Sequence, residues 1–97
     1  MTHDFEGRVV VVTGAAVGIG KATAAAFGNA GATVYLVDVD VDAGPASAAA
    51  VSGATFIPCD LTSEDEVAAA VEGIDRSSGR IDILVNNAGG FPETLGL

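Results

Sequence analysis

The sequence predicts an α/β fold, a parallel sheet whose strands alternate with helices. Three observations carry this expectation. Val9-Val10-Val11-Val12 is a β-branched run with no polar alternation, as in a strand buried on both faces. Gly14, Gly18 and Gly20 cluster directly after it and open an alanine-rich stretch. The alternation of apolar run and helical stretch then recurs as far as Val85.

The elements follow in order. Arg8–Val12 reads as the first strand and Ile19–Ala30 as the first helix, stopped by Gly31. That helix is expected to turn Ile19, Ala22, Ala26 and Ala30 inward, with Phe27 beside them. Thr33–Asp38 is a second strand that ends in a carboxylate. Asp42 can cap a short helix running to about Val51, with Pro45 tolerated in its first turn. Thr55–Pro58 is the third strand. Ser63 and Glu66 then form an S-x-x-E capping box at the head of a helix from Ser63 to Arg76. Its apolar positions Val67, Ala70, Val71 and Ile74 follow the i, i+3, i+4, i+7 rule. Ile81–Val85 is a fourth strand, followed by Asn86-Asn87-Ala88-Gly89.

Ninety-seven residues make one small domain at most. Thirteen acids against four bases give a formal charge of −9, which argues against nucleic-acid and anionic-membrane partners. No apolar run approaches membrane-spanning length, and Met1 to Gly7 lacks a basic n-region, so a cytoplasmic protein is expected. Cys59 is the single cysteine, expected to be buried, and His3 the single histidine, in an N-terminal segment expected to be mobile. One of each, without ligand spacing, predicts no metal site.

A strand, a glycine turn and a helix start can hold phosphate, because glycine admits close approach and the helix start offers free N–H groups. Two familiar phosphate loops fail on inspection. A Walker loop needs a hydroxyl after Gly20-Lys21, where Ala22 stands, and a leading glycine where Ala15 stands. The G-x-G-x-x-G fingerprint fails because the glycines run G-x-x-x-G-x-G. In a dinucleotide-binding fold Asp38, at the end of the second strand, would be placed to accept hydrogen bonds from an adenosine ribose; the alternative is a solvated strand-end acid.

The observed spacing, Thr13-Gly14-Ala15-Ala16-Val17-Gly18-Ile19-Gly20, resembles the T-G-x-x-x-G-I-G signature of the short-chain dehydrogenase/reductase family. Asn86-Asn87-Ala88-Gly89 resembles that family's N-N-A-G signature, and Asp60-Leu61 its acid-plus-aliphatic pair after the third strand. The resemblance covers Phe5 to Gly90 and implies a Rossmann-type sheet of strand order 3-2-1-4, truncated after the fourth strand. It implies that Gly14 to Gly20 cradle a pyrophosphate, with backbone N–H groups of Val17, Gly18 and Ile19. Asp38 would hold the adenosine ribose, Asp60 the adenine amino group and the Leu61 backbone the ring. Asn87, Ala88 and Gly89 would line the floor near the riboses. Asn86 is divided between that floor and a purely sheet-bracing role.

NAD is expected in preference to NADP, since Asp38 would repel a ribose phosphate and Ala15, Ala16, Val17 and Val39 supply no base. The resemblance also implies a homo-oligomeric parent oxidoreductase that moves hydride between nicotinamide and an alcohol or carbonyl. The family's catalytic serine and Tyr-x-x-x-Lys pair have no counterpart here, so residues 1–97 are expected to form the N-terminal, incomplete part of a cofactor domain with no catalytic residue. A truncated oxidoreductase, a non-catalytic nucleotide-binding protein and an interaction module using an exposed sheet edge all stay open.

Overall fold

The computed structural model describes residues 4–87, and all structural statements refer to these. Four strands, β1 (Val9–Thr13), β2 (Thr33–Asp38), β3 (Ala54–Pro58) and β4 (Ile83–Val85), form one sheet of order β3-β2-β1-β4. Every pairing is parallel, with Val11 opposite Tyr35 and Leu84, and Tyr35 opposite Thr55. The helices α1 (Gly18–Asn29), α2 (Ala43–Ala49) and α3 (Glu64–Ser78) make the crossovers. Fold class and strand order are those the sequence predicts.

All five residues of β1 are buried, as its unbroken valine run requires. Val10, Val12, Val34 and Leu36 face α1 and α2, packing with Ala24 and Ala48. Val9, Val11, Tyr35 and Val37 face α3, packing on Ile74, Val67 and Ala70. Cys59 is buried on this second side, and desolvation pushes its thiol pKa up, with Glu66 and Asp60 adding to the shift.

The inward face of α1 differs from the expected one. Gly20, Ala24 and Gly28 are buried, whereas Ile19 is 77% exposed and Ala22 and Ala26 lie outside. The reason is distance. A Cβ on Gly28 would stand 2.5 Å from Val51 Cγ1 and 2.8 Å from the Ser52 carbonyl, so only the smallest side chains fit. Phe27 is half-buried and meets Phe5 edge-on, centroids 5.0 Å apart, while the Phe5 amide donates to Ala30 O. The N-terminal segment is therefore anchored from Phe5 onward; His3 lies outside the described residues.

The start of α2 corrects a second expectation. Asp42 occupies the cap position but makes no capping bond. The carboxylate of Asp40 accepts the amides of Asp42 and Ala43 at 3.0 and 2.9 Å instead. In α3 the Ser63 hydroxyl accepts from the Glu66 amide, the forward arm of the expected box. The returning arm goes elsewhere, because Glu66 Oε1 accepts from Asp60 N at 2.8 Å. Of the four predicted apolar positions Ile74 is buried, Val67 and Ala70 half-buried, and Val71 exposed. Val71 borders a trough of about 360 Å³ shared with Leu84, 63% exposed, and Ile81.

The fourth strand begins at Ile83 rather than Ile81, held by Asp82. The Val9 amide donates to Asp82 Oδ2 at 2.8 Å while the Asp82 amide donates to Val9 O at 2.8 Å. Arg80 Nε donates to the same carboxylate at 2.9 Å, and its guanidinium also reaches Gly7 O. The Val9 amide, helped by Arg80 and Arg8 and opposed by desolvation, lowers the Asp82 pKa below its ordinary 3.8. The stability this supplies is complete above the ordinary value and lost as pH falls through the lowered one. Asp82→Asn should therefore flatten the acid limb of a pH–stability curve. An acid limb identical to that of the parent chain would show that Asp82 carries none of it.

Candidate dinucleotide site

The predicted residues converge at the C-terminal ends of the parallel strands. Gly14 follows β1, Asp38 ends β2, Asp60 follows β3 and Asn87 follows β4. Strand order reverses between β1 and β4, the place where open α/β sheets bind ligands.

The turn from β1 into α1 is built on two left-handed glycines, Gly14 at φ +63° and Gly18 at φ +64°. The Gly14 amide still donates to Val37 O, so the chain leaves the sheet under restraint. Ala15 and Ala16 are buried, and residue Ala16 is held by its backbone on both sides. Its N–H donates to Asp38 Oδ2 at 3.0 Å and its carbonyl accepts from Ser47 Oγ at 2.6 Å. Val17 then enters α1 in extended conformation with no side-chain cap. The Val17, Gly18 and Ile19 amides donate to no described residue, leaving a helix start with open N–H groups and the positive dipole end.

Gly20 has no room for a side chain. Its Cβ would stand 2.0 Å from Gly14 O and 2.7 Å from Asn87 Nδ2. The floor beside it is tied by Thr13, whose hydroxyl accepts from Asn87 N at 2.9 Å and faces Asn86 Oδ1 at 3.1 Å. Asn87 Nδ2 reaches Gly14 O at 3.4 Å. Asn86 thus bonds to Thr13 across the strand ends, and Asn87 braces the glycine turn. Ala88 and Gly89 lie outside the described residues.

Asp38 is half-buried and already employed, one backbone amide per oxygen: Ala16 on Oδ2 and Asp40 on Oδ1. Each carboxylate oxygen keeps capacity for a further donor. Asp60 Oδ1 accepts the Thr62 hydroxyl at 2.6 Å and the Thr62 amide at 2.9 Å. These two bonds, the hydroxyl first, lower its pKa, so it is ionised at neutral pH. Leu61 is 40% exposed at the same rim, and the Cys59 amide donates to Asp38 O. Among the described residues no cluster of His, Cys, Asp or Glu could hold a metal, and no helix is long and apolar enough to cross a membrane. A larger depression of about 900 Å³ runs along α3 by Ala68, Glu72 and Arg80, away from the glycine turn.

The arrangement fits a dinucleotide: open amides for a diphosphate, a carboxylate for ribose hydroxyls, and a backbone contact at Gly20 that a Cβ would close. Thr13, Ser47 and Thr62 were not singled out for roles by sequence reasoning. Thr13 stands inside the glycine signature, and Ser47 is the one polar side chain of α2, which are the available signals.

Residues 8–95 match the family model of the short chain dehydrogenases. The chain is 47% identical over 88 residues to an L-fucose dehydrogenase of Oryctolagus cuniculus, covering 91% of this chain and 31% of that protein. It is 40% identical over 90 residues to a 7alpha-hydroxysteroid dehydrogenase of Escherichia coli, covering 89% and 35%. A crystal structure of hydroxysteroid dehydrogenase from Escherichia coli superposes with a TM-score of 0.86 at 38% identity, covering 91% of this chain and 39% of that one. A 3-ketoacyl-(acyl-carrier-protein) reductase from Brucella melitensis, complexed with NADH, superposes at 0.80 with 35% identity, covering 84% and 34%. The chain spans about a third of the length of the curated relatives it matches.

Proposed function

The chain belongs to the short-chain dehydrogenase family, and on that premise we propose that it holds the adenosine and pyrophosphate half of a nicotinamide dinucleotide. The observation that carries this is the uncapped start of α1, with three open amides above the Gly14–Gly20 contact. Gly14, Gly18 and Gly20 shape the cradle, and Val17, Gly18 and Ile19 present N–H groups to the diphosphate. Asp38 takes the ribose hydroxyls, Asp60 and Leu61 the adenine, and Asn87, with Ala88 and Gly89, the floor beyond.

NAD is preferred over NADP. Asp38 is followed by Asp40 and Asp42, and the uncharged Ala15, Ala16, Val17 and Val39 offer no partner for a ribose phosphate. The parent protein, a homo-oligomer of the cytoplasm, transfers hydride between the nicotinamide ring and an alcohol or carbonyl. The residues described here form the first part of its cofactor domain. When bound, the nicotinamide supplies the hydride chemistry; these residues bind and orient its adenosine end.

Calorimetric titration with NAD and NADP tests the reading. Asp38→Ala should lose charge-assisted bonds worth about 1.5–3 kcal/mol, at least tenfold in NAD affinity. It should also narrow the gap between NAD and NADP. Equal affinities of both proteins for both cofactors would make Asp38 no more than a brace for Ala16.

A further inference from the structure

We infer that Ser47 is a positioning residue of the phosphate-binding turn, its hydroxyl fixing the peptide that presents the Val17 N–H to the dinucleotide. The inference rests on the proposed dinucleotide site and extends it to a helix that does not line that site. The Ser47 hydroxyl is buried and donates to Ala16 O at 2.6 Å. No cis peptide bond occurs among the described residues, so the Ala16–Val17 unit is trans and its C=O and N–H point in opposite directions. Holding the carbonyl toward α2 therefore directs the Val17 amide away from α2. Val17 is 62% exposed there, and its amide has no acceptor among the described residues.

The support behind Ser47 is rigid. A Cβ on Gly44 would stand 2.1 Å from the Phe56 ring, so α2 lies hard against β3. Asp40 ties its first turn through the amides of Asp42 and Ala43. On the far side of the same residue Asp38 holds the Ala16 N–H. The turn is thus clamped between the end of β2 and the middle of α2, before any ligand arrives. Binding amides held in place in advance lose less freedom when a phosphate binds. In the remaining residues of α2 only alanine, glycine and proline occur, none of which could donate to Ala16 from a side chain.

The test compares ADP, which carries the diphosphate, with adenosine, which lacks it, by amide chemical-shift titration of the full chain. Ser47→Ala should weaken ADP binding about three- to tenfold, the scale of one hydrogen bond. Adenosine affinity should change less than twofold, and the ADP-induced shift of the Val17 amide should shrink. Ser47→Thr, which keeps the hydroxyl, should restore the ADP-to-adenosine ratio. A role confined to stability would lower the melting temperature without moving that ratio. Equal losses for both ligands, or none for either, overturn the inference while leaving the dinucleotide site standing. A parent chain that binds neither ligand removes the site and the inference with it. If Ser47→Ala does not fold, Ser47→Cys under reducing conditions decides: its weaker donor should give an intermediate loss for ADP, and an unchanged ratio overturns the inference.

Discussion

Gly20→Ala is expected to unfold the chain more easily and to abolish measurable dinucleotide binding, although alanine is the better helix former. The new Cβ would stand 2.0 Å from Gly14 O and 2.8 Å from Gly14 C, both backbone atoms of the turn itself. A flexible side chain could swing aside, but a carbonyl at the end of a buried strand cannot. Overpacking of this kind costs about 1–3 kcal/mol or more, against a helical gain of roughly 0.5–1 kcal/mol. The net sign is destabilising, and the atoms forced to move are those that shape the cradle. Gly73→Ala supplies the contrast. Gly73 is also inside a helix, α3, but nothing lies within 4 Å of its Cβ position. There the same change should stabilise by roughly 0.5–1 kcal/mol. Thermal unfolding of the pair, with NAD titration of each, checks both signs. A Gly20→Ala chain as stable as its parent would mean that α1 does not press on Gly14.

These opposite outcomes show what a sequence can and cannot disclose. The strands were legible because valine runs and period-breaking glycines are local signals, and β2 falls where the sequence predicts it. The face of α1 was not legible. Hydropathy favours Ile19 and the alanines, whereas the sheet selects Gly20, Ala24 and Gly28 for their lack of bulk. A residue's value there lies in the space it leaves. Polar partners were legible only where they are close in sequence. Ser63 caps Glu66 as the motif requires, yet the Glu66 carboxylate turns back to Asp60, and Asp40 displaces Asp42 at the head of α2. The place of Asp38 at the end of β2 was legible from the sequence. Its bond to Ala16, 22 residues away, depends on how β1 and β2 pair. Ser47 is the extreme case, a lone hydroxyl in an alanine helix whose meaning appears only when α2 is laid beside the glycine turn.

The 97-residue chain, assayed by itself with NADH and a panel of alcohols and carbonyls, is expected to show no turnover above the uncatalysed rate. Hydride transfer to a carbonyl needs a proton donor at the substrate oxygen, and a positioned acid–base group is worth about a hundred- to ten-thousandfold. The chain's one tyrosine, Tyr35, cannot serve. It stands in mid-strand on the α3 face, opposite Val11 and Thr55, and is 6% exposed. Its hydroxyl lies 2.6 Å from Ser78 Oγ, at the last residue of α3. A crossover helix runs antiparallel to its strands, so that end of α3 lies at the edge of the sheet opposite the glycine turn. The one lysine, Lys21, is exposed on the first turn of α1, whereas Tyr35 lies buried in β2. In the proposed site Asp38 and Asp60 would take the adenosine end, and their oxygens already hold Ala16, Asp40 and Thr62. On the proposed reading the site would therefore grip one end of a cofactor, with no proton donor placed at the other among the described residues. Saturable NADH oxidation that survives further purification, and that falls with Gly20→Ala, would place a proton donor among these residues and refute this division of labour.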